Sequence, residues 1–142
     1  MQAASQDDNN PPRAVLLRPS NAMRLHHLAL RTRDVDRLVA FYRDVLELPL
    51  WPQQAGNGVW LKLDEAVVMI ERADDGEPPV SPLTRELLAL EAPGGDLPRA
   101  RAHLATRGVT IEAETAHTLY FRDPDGRRVA LSSYPFPPSD ET

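Results

Sequence analysis

Cysteine is absent from all 142 residues. Disulfides, thiolate nucleophiles and thiolate metal sites are therefore excluded, and any metal must be held by His, Asp or Glu. Histidine is scarce too, with 4 copies, so a metal centre has few residues to draw on. Positive charge is in deficit. The net charge is -5, and no run of Lys or Arg supplies the phosphate-neutralising surface that nucleic acid requires. No apolar run approaches the roughly 20 residues that span a bilayer, and residues 1–22 lack the basic start and apolar block of a signal peptide. The expected setting is the cytoplasm, away from membranes and nucleic acid.

Hydrophobic residues reach 42%, enough for one globular domain with its own core, placed at residues 23–134. Residues 1–22 mix polar side chains with Pro11, Pro12 and Pro19 and show no sustained period, so they read as a disordered N-terminal tail. Residues 135–142 read as a C-terminal tail.

The domain is organised around Met23 to Leu50. Alternation puts Leu28 and Leu30 on one face of a strand and Leu25, His27, Ala29 and Arg31 on the other. Asp34 is placed to cap a helix whose Val35, Leu38, Val39, Tyr42, Val45 and Leu46 form one apolar stripe. That helix is expected to cover the Leu28/Leu30 face, turning the His27 face towards a cavity. Next, Pro49 and Pro52 leave room only for an irregular edge strand, and Gly56-Asn57-Gly58 suits a turn. Val59 to Leu63 and Ala66 to Glu71 read as a hairpin about Asp64-Glu65. Pairing Leu63 with Ala66 sets Trp60 opposite Met69 on one face.

Residues 73–83 are dense in Pro, Gly and Asp and read as a linker. Beyond it come a strand at Glu86 to Leu90 and a helix capped by Asp96, with Leu97, Ala100, Leu104 and Ala105 inward and an end near Gly108. Val109 to Glu112 reads as a short strand. His117 to Arg122 and Arg127 to Ser133 flank the turn Asp123-Pro124-Asp125-Gly126. Leu28-Ala29-Leu30 recurs sixty residues later as Leu88-Ala89-Leu90, and each copy is followed by an acidic cap, a helix and a closing hairpin. The fold class is α+β. Two βαβββ modules, at about 23–72 and 84–134, are expected to pair into a curved mixed sheet around a cleft with the helices outside, because neither unit of about 50 residues buries its sheet alone.

Three stretches carry a family resemblance: His27-Leu28-Ala29-Leu30 with Asp34, Phe41-Tyr42-x-x-Val45-Leu46, and Tyr120-Phe121-Arg122-Asp123-Pro124-Asp125-Gly126. Over about residues 23–134 the chain resembles the vicinal oxygen chelate superfamily, which includes glyoxalase I, extradiol dioxygenases, bleomycin-resistance proteins and fosfomycin-resistance enzymes. In the metal-dependent members, the resemblance implies ligands on the inner faces of the first and last strand of each module. His27 matches the first position, while Leu87, Met69 and Ala130 stand at the other three. One imidazole does not hold a divalent ion, so no cofactor is expected. A relocated site for a divalent metal such as Zn, Ni, Mn or Fe would use His27, Glu71 and Glu91, which share the inward parity. A displacement of two residues, however, moves a carboxylate about 6 to 7 Å along its strand.

Two functions compete. In the first, the protein resembles bleomycin-resistance proteins and binds a small aromatic or amphipathic molecule without a metal, with Trp60, Met69 and Tyr120 lining the cleft and Arg128 and Ser132 offering polar contacts. In the second, it is a lyase, isomerase or dioxygenase in which His27 acts as acid and base or ligates the relocated metal. Binding is preferred, because three apolar replacements oppose metal chemistry and nothing opposes a pocket. His26 is read as turned to the opposite face, His103 and His117 as solvated, and Asp123, Asp125 and Gly126 as turn chemistry. A homodimer is expected, since an open sheet leaves edges to cover.

Overall fold

A computed structural model describes residues 21–135. The expected tails lie outside the described residues except for Asn21, Ala22 and Pro135. The first module contains β1 (His27–Thr32), α1 (Val35–Ala40), β2 (Gly58–Leu63) and β3 (Ala66–Arg72). The second contains β4 (Leu87–Glu91), α2 (Leu97–Thr106), β5 (Ala113–Glu114), β6 (Thr118–Arg122) and β7 (Arg128–Ser132). Each module keeps its own mixed sheet, ordered β1-β3-β2 and β4-β7-β6-β5, with the first strand parallel to the last. The missing strand of the first module survives as a single bridge, Leu50 to Leu61, as Pro49 and Pro52 foretold. Leu63 pairs with Ala66 and Trp60 with Met69, the register expected from the sequence. The strand expected at Val109 to Glu112 forms instead at Ala113–Glu114.

Both helices start on the anticipated caps. The Asp34 carboxylate accepts the Arg37 N–H at 3.1 Å and that of Asp96 accepts the Arg99 N–H at 3.0 Å, satisfying donors that the first helical turn leaves unpaired. After Ala40 the first helix widens into a π turn over Phe41–Val45, with the Leu46 N–H bonded to the Phe41 carbonyl at 3.2 Å. Phe41 lies three residues after Leu38 and joins the buried stripe with Tyr42. In α2, Leu97, Ala100 and Leu104 are buried while Ala105 is exposed, so that stripe is narrower than expected.

The helix-covered faces of both sheets share one core. Leu30, Leu38, Tyr42, Leu61, Val68 and Ile70 from the first module join Leu104, Leu119, Phe121, Val129 and Leu131 from the second in a single cluster. Each such side chain contributes about 1.5 to 3 kcal/mol by burial, an upper range because the unfolded chain already buries some surface. Polar bonds cross the same joint. The Tyr42 hydroxyl donates to Asp123 Oδ2 at 2.8 Å, Arg127 donates to the Arg31 carbonyl, and Arg37 reaches the Pro124 carbonyl and lies 3.5 Å from the Asp125 carboxylate. Asp123 caps its own turn as well, its Oδ1 accepting the N–H groups of Asp125 and Arg127 at 2.8 and 3.1 Å. The turn residues of the sequence reading are therefore also a latch between modules.

The equivalent place in the repeat has no counterpart of the Tyr42–Asp123 pair. Aligning the caps Asp34 and Asp96 makes Leu104 the counterpart of Tyr42, and aligning Trp60 with Tyr120 makes Leu63 the counterpart of Asp123. A groove of about 1290 Å³ opens there, between the β2–β3 turn and the start of α2. His103, expected in solvent, is half-buried on its wall, with Nε2 2.8 Å from the Val45 carbonyl.

Candidate functional site

The faces turned away from the helices carry the candidate residues. Strand register lays out the first of them in rows: Ala29 beside Met69 beside Trp60, and His27 beside Val67 beside Lys62. The edge segment extends both rows, because the Leu50–Leu61 bridge sets Trp51 against Trp60 and Pro49 against Lys62. Hydrogen bonds from the Trp51 N–H to the Trp60 carbonyl at 3.0 Å and from the Lys62 N–H to the Pro49 carbonyl at 2.7 Å hold that edge. The Lys62 ammonium stands 4.8 Å from the centre of the Trp51 ring, a cation over an aromatic face. Both indole N–H groups, of Trp51 and Trp60, are buried without a hydrogen-bond partner. Trp51 was not anticipated as a site residue. Its parity depends on a one-residue bridge that an irregular, proline-flanked segment does not announce.

His27 is exposed, and its Nδ1 lies 2.9 Å from Nδ1 of His26. The expectation that His26 faces the other way fails, since β1 begins at His27 and alternation does not govern the residue before it. One of the two nitrogens must carry the hydrogen and the other the lone pair. At the far end of the same face, Arg31 donates to Glu71 at 3.2 Å and to both oxygens of Glu77 at 2.9 and 3.1 Å, with Asp74 at 3.4 Å. The guanidinium bonds, helped by the Asp74 backbone N–H, hold the Glu77 carboxyl down at about 2, and Glu77 in turn keeps the Arg31 proton tightly bound. The parity of Arg31 was readable, whereas its capture of a linker residue was not. Gly58 lies across from Glu71 in the ladder, where an added Cβ would meet the Ile70 carbonyl oxygen at 2.9 Å.

On the second module the corresponding row is Ala89, Ala130 and Tyr120. Arg128 lies flat against Tyr120, its guanidinium carbon 4.2 Å from the ring centre. Glu112 bridges Arg122 and Arg128 at 2.9 Å each, and these bonds, that to Arg122 foremost, hold its carboxyl below the usual range. Two guanidinium groups thus surround one carboxylate on this face. The Ser132 hydroxyl is engaged with Thr118 at 2.9 Å and with the His117 carbonyl at 3.3 Å. His117 is exposed, its ring edge-on to Tyr134. Thus His27, Met69 and Trp60 come together on one sheet and Tyr120, Arg128 and Ser132 on the other, and none of the six lines the large groove.

The model of the Glyoxalase/Bleomycin resistance protein/Dioxygenase superfamily matches residues 24–131. The chain belongs to that superfamily. Among solved structures, it is similar to an integron cassette protein from the mobile metagenome of V. cholerae, at 24% identity and a TM-score of 0.65 over 82% of this chain and 99% of that one. It is similar to TnmS3, an antibiotic binding protein from Streptomyces sp. CB03234, at 22% identity and a TM-score of 0.61 over 80% and 98%. It is also similar to the fosfomycin resistance protein FosX from Mesorhizobium loti, at 15% identity and a TM-score of 0.65 over 81% and 94%. No curated protein matches the chain. These likenesses establish the superfamily's fold, on which several functions are built.

The superfamily's metal-dependent members set the standard against which the inner faces can be tested. Leu87, Met69 and Ala130 offer no donor suited to a hard or borderline divalent ion. Glu71 is committed to Arg31, and Glu91 lies on the other module in the wall of the groove. Among the described residues, no three of His, Asp and Glu gather closely enough to hold a metal. The donor set of this member does not fit the metal that the superfamily implies. No helix among the described residues is long and apolar enough to cross a membrane.

Proposed function

We propose that this protein binds a small aromatic or amphipathic molecule, without a metal, on the inner faces of its two sheets. One arrangement carries the reading: Ala29, Met69, Trp60 and Trp51 form an apolar aromatic row on a face that no helix covers. A planar ligand gains area and ring stacking there, while Lys62 offers a donor to its polar edge. Tyr120 under Arg128 supplies a second stacking surface. Each face is open in the single chain, with Leu87 43% exposed, so the proposed cleft is closed by a second copy in a homodimer.

A second reading, an enzyme using His27 for proton transfer, draws support from the His26–His27 contact. Tryptophan fluorescence with a panel of aromatic ligands separates the two. Binding quenches the signal, Trp60→Phe removes most of the quench, and Trp60→Ala weakens affinity by about 1 to 3 kcal/mol. In a binding protein His27→Ala costs roughly one hydrogen bond, about 0.5 to 1.5 kcal/mol, whereas in an acid–base enzyme it leaves binding nearly intact and cuts turnover about 100-fold. A panel in which nothing quenches would sink both readings.

A further inference from the structure

We propose, resting on the binding function above, that the molecule held on the inner faces carries a carboxylate and that Arg128 is its anchor. Strand register places the guanidinium groups of Arg31, Arg122 and Arg128 on those faces, Arg31 beside Glu71 on the first module and Arg122 beside Arg128 on the second. Their hydrogen bonds differ. Arg31 commits Nε, Nη1 and Nη2 to Glu71 and Glu77. Arg122 commits Nε to Glu112 and Nη1 to the carbonyls of Thr84 and Gly126. Arg128 commits Nε alone, to Glu112 at 2.9 Å, and neither of its terminal nitrogens has a hydrogen-bond partner among the described residues.

That free edge is held in place. The Arg128 side chain is 12% exposed, the Tyr120 ring lies against it at 4.2 Å, and the bond to Glu112 fixes its rotation. A guanidinium held on one face and one edge presents its remaining nitrogens in a set direction, the geometry in which a carboxylate accepts two parallel hydrogen bonds. Little side-chain freedom is then lost when the anion arrives. Glu112 does not saturate the cation, because the same carboxylate also accepts from Arg122 at 2.9 Å. Glu91 shares the inward parity but lies four residues beyond Leu87, the strand partner of Arg128, which is roughly 13 Å along β4. Leu87 is itself exposed, so an apolar ligand body has a surface beside the anchor. Lys62, on the first module, is an ammonium over the Trp51 ring, with rotatable donors that set no such direction.

The test compares naphthoate with naphthamide, one ring system with and without the charge, by isothermal titration calorimetry on the full chain. Wild type should bind the carboxylate about tenfold or more tightly than the amide, the margin between charged and neutral acceptors. Arg128→Gln should erase that margin while leaving the amide affinity unchanged. Arg128→Lys keeps the charge but not the fork, so it should restore only part of the margin. Equal affinities in wild type, or neutral aromatics that bind where naphthoate does not, overturn the carboxylate anchor and leave the binding function standing. A margin that survives Arg128→Gln and disappears in Lys62→Gln overturns the assignment to Arg128. Should Arg128→Gln not fold, Arg128→Lys decides, and a margin left whole in it overturns the assignment. Binding of no aromatic at all, charged or neutral, overturns both the anchor and the function beneath it.

Discussion

Replacing Tyr42 by Phe removes a single oxygen from the joint between the modules. Tyr42 is wholly buried, and its hydroxyl is 2.8 Å from a carboxylate that is also fully removed from solvent. A hydrogen bond to a charged group is worth about 1.5 to 3 kcal/mol. The lower half of that range applies if Asp123 Oδ2 falls back on Arg127, 3.3 Å away. At about 4 °C per kcal/mol for a domain of this size, the melting point should drop by about 6 to 12 °C. A second signature lies at alkaline pH. Burial, reinforced by the Asp123 charge, pushes the Tyr42 phenol far above its ordinary value near 10. Above that value the unfolded chain releases a proton that the folded chain retains, so wild-type stability falls by about 1.4 kcal/mol per pH unit from this group. Tyr42→Phe has no such proton and should show a shallower alkaline limb. Chemical denaturation of both proteins from pH 7 to 11 measures both effects. A loss under 0.5 kcal/mol at pH 7, or parallel alkaline limbs, would refute the latch as an energetic link.

Glu47 sits at φ 60°, a left-handed conformation that favours glycine, so Glu47→Gly should gain about 0.5 to 1 kcal/mol in urea denaturation while Glu47→Ala does not. The Glu77 carboxyl, held at about 2 by Arg31, stabilises the fold fully above the ordinary glutamate value near 4.5 and loses that contribution as pH falls towards 2; the gap in melting point between wild type and Glu77→Gln should therefore narrow across that window, and a constant gap would contradict it. Light scattering at micromolar concentration should give a mass near twice the 15.8 kDa chain, and a monomer would remove the proposed closure of the cleft. Elemental analysis of protein grown with supplemented metals should find no stoichiometric divalent ion after dialysis, and one equivalent per chain would return Glu71 or Glu91 to consideration as ligands.

The modules, both helix caps, the Trp60–Met69 register and the Asp123 turn were legible because each is written in local chemistry: alternation, a capping carboxylate, a Pro-Gly turn. What was not legible depends on where two distant pieces meet. Asp123 looked complete as a turn residue, and only the packing of the modules shows that its second oxygen faces Tyr42. Arg128 was visible as inward-facing, but its stacking on Tyr120 and its tie to Glu112, just before a strand that begins four residues later than the sequence suggests, depend on how distant segments meet. His103 showed the same weakness, since a solvated helix position cannot announce a carbonyl from the other module.

The Tyr42–Asp123 latch exists in one copy, and that constrains how the two halves are inherited. A chain assembled from the first module twice would offer Tyr42 only Leu63, a hydroxyl without an acceptor. One assembled from the second module twice would bury Asp123 against Leu104, a carboxylate without its donor. Either mismatch leaves a polar group stranded in a core, a cost of about 1 to 3 kcal/mol and more for the charge. At this joint the halves are partners of unlike kind, so neither can be exchanged for a second copy of the other without that cost. Swapping their order along the chain would preserve the fit, while homogenising them would destroy it.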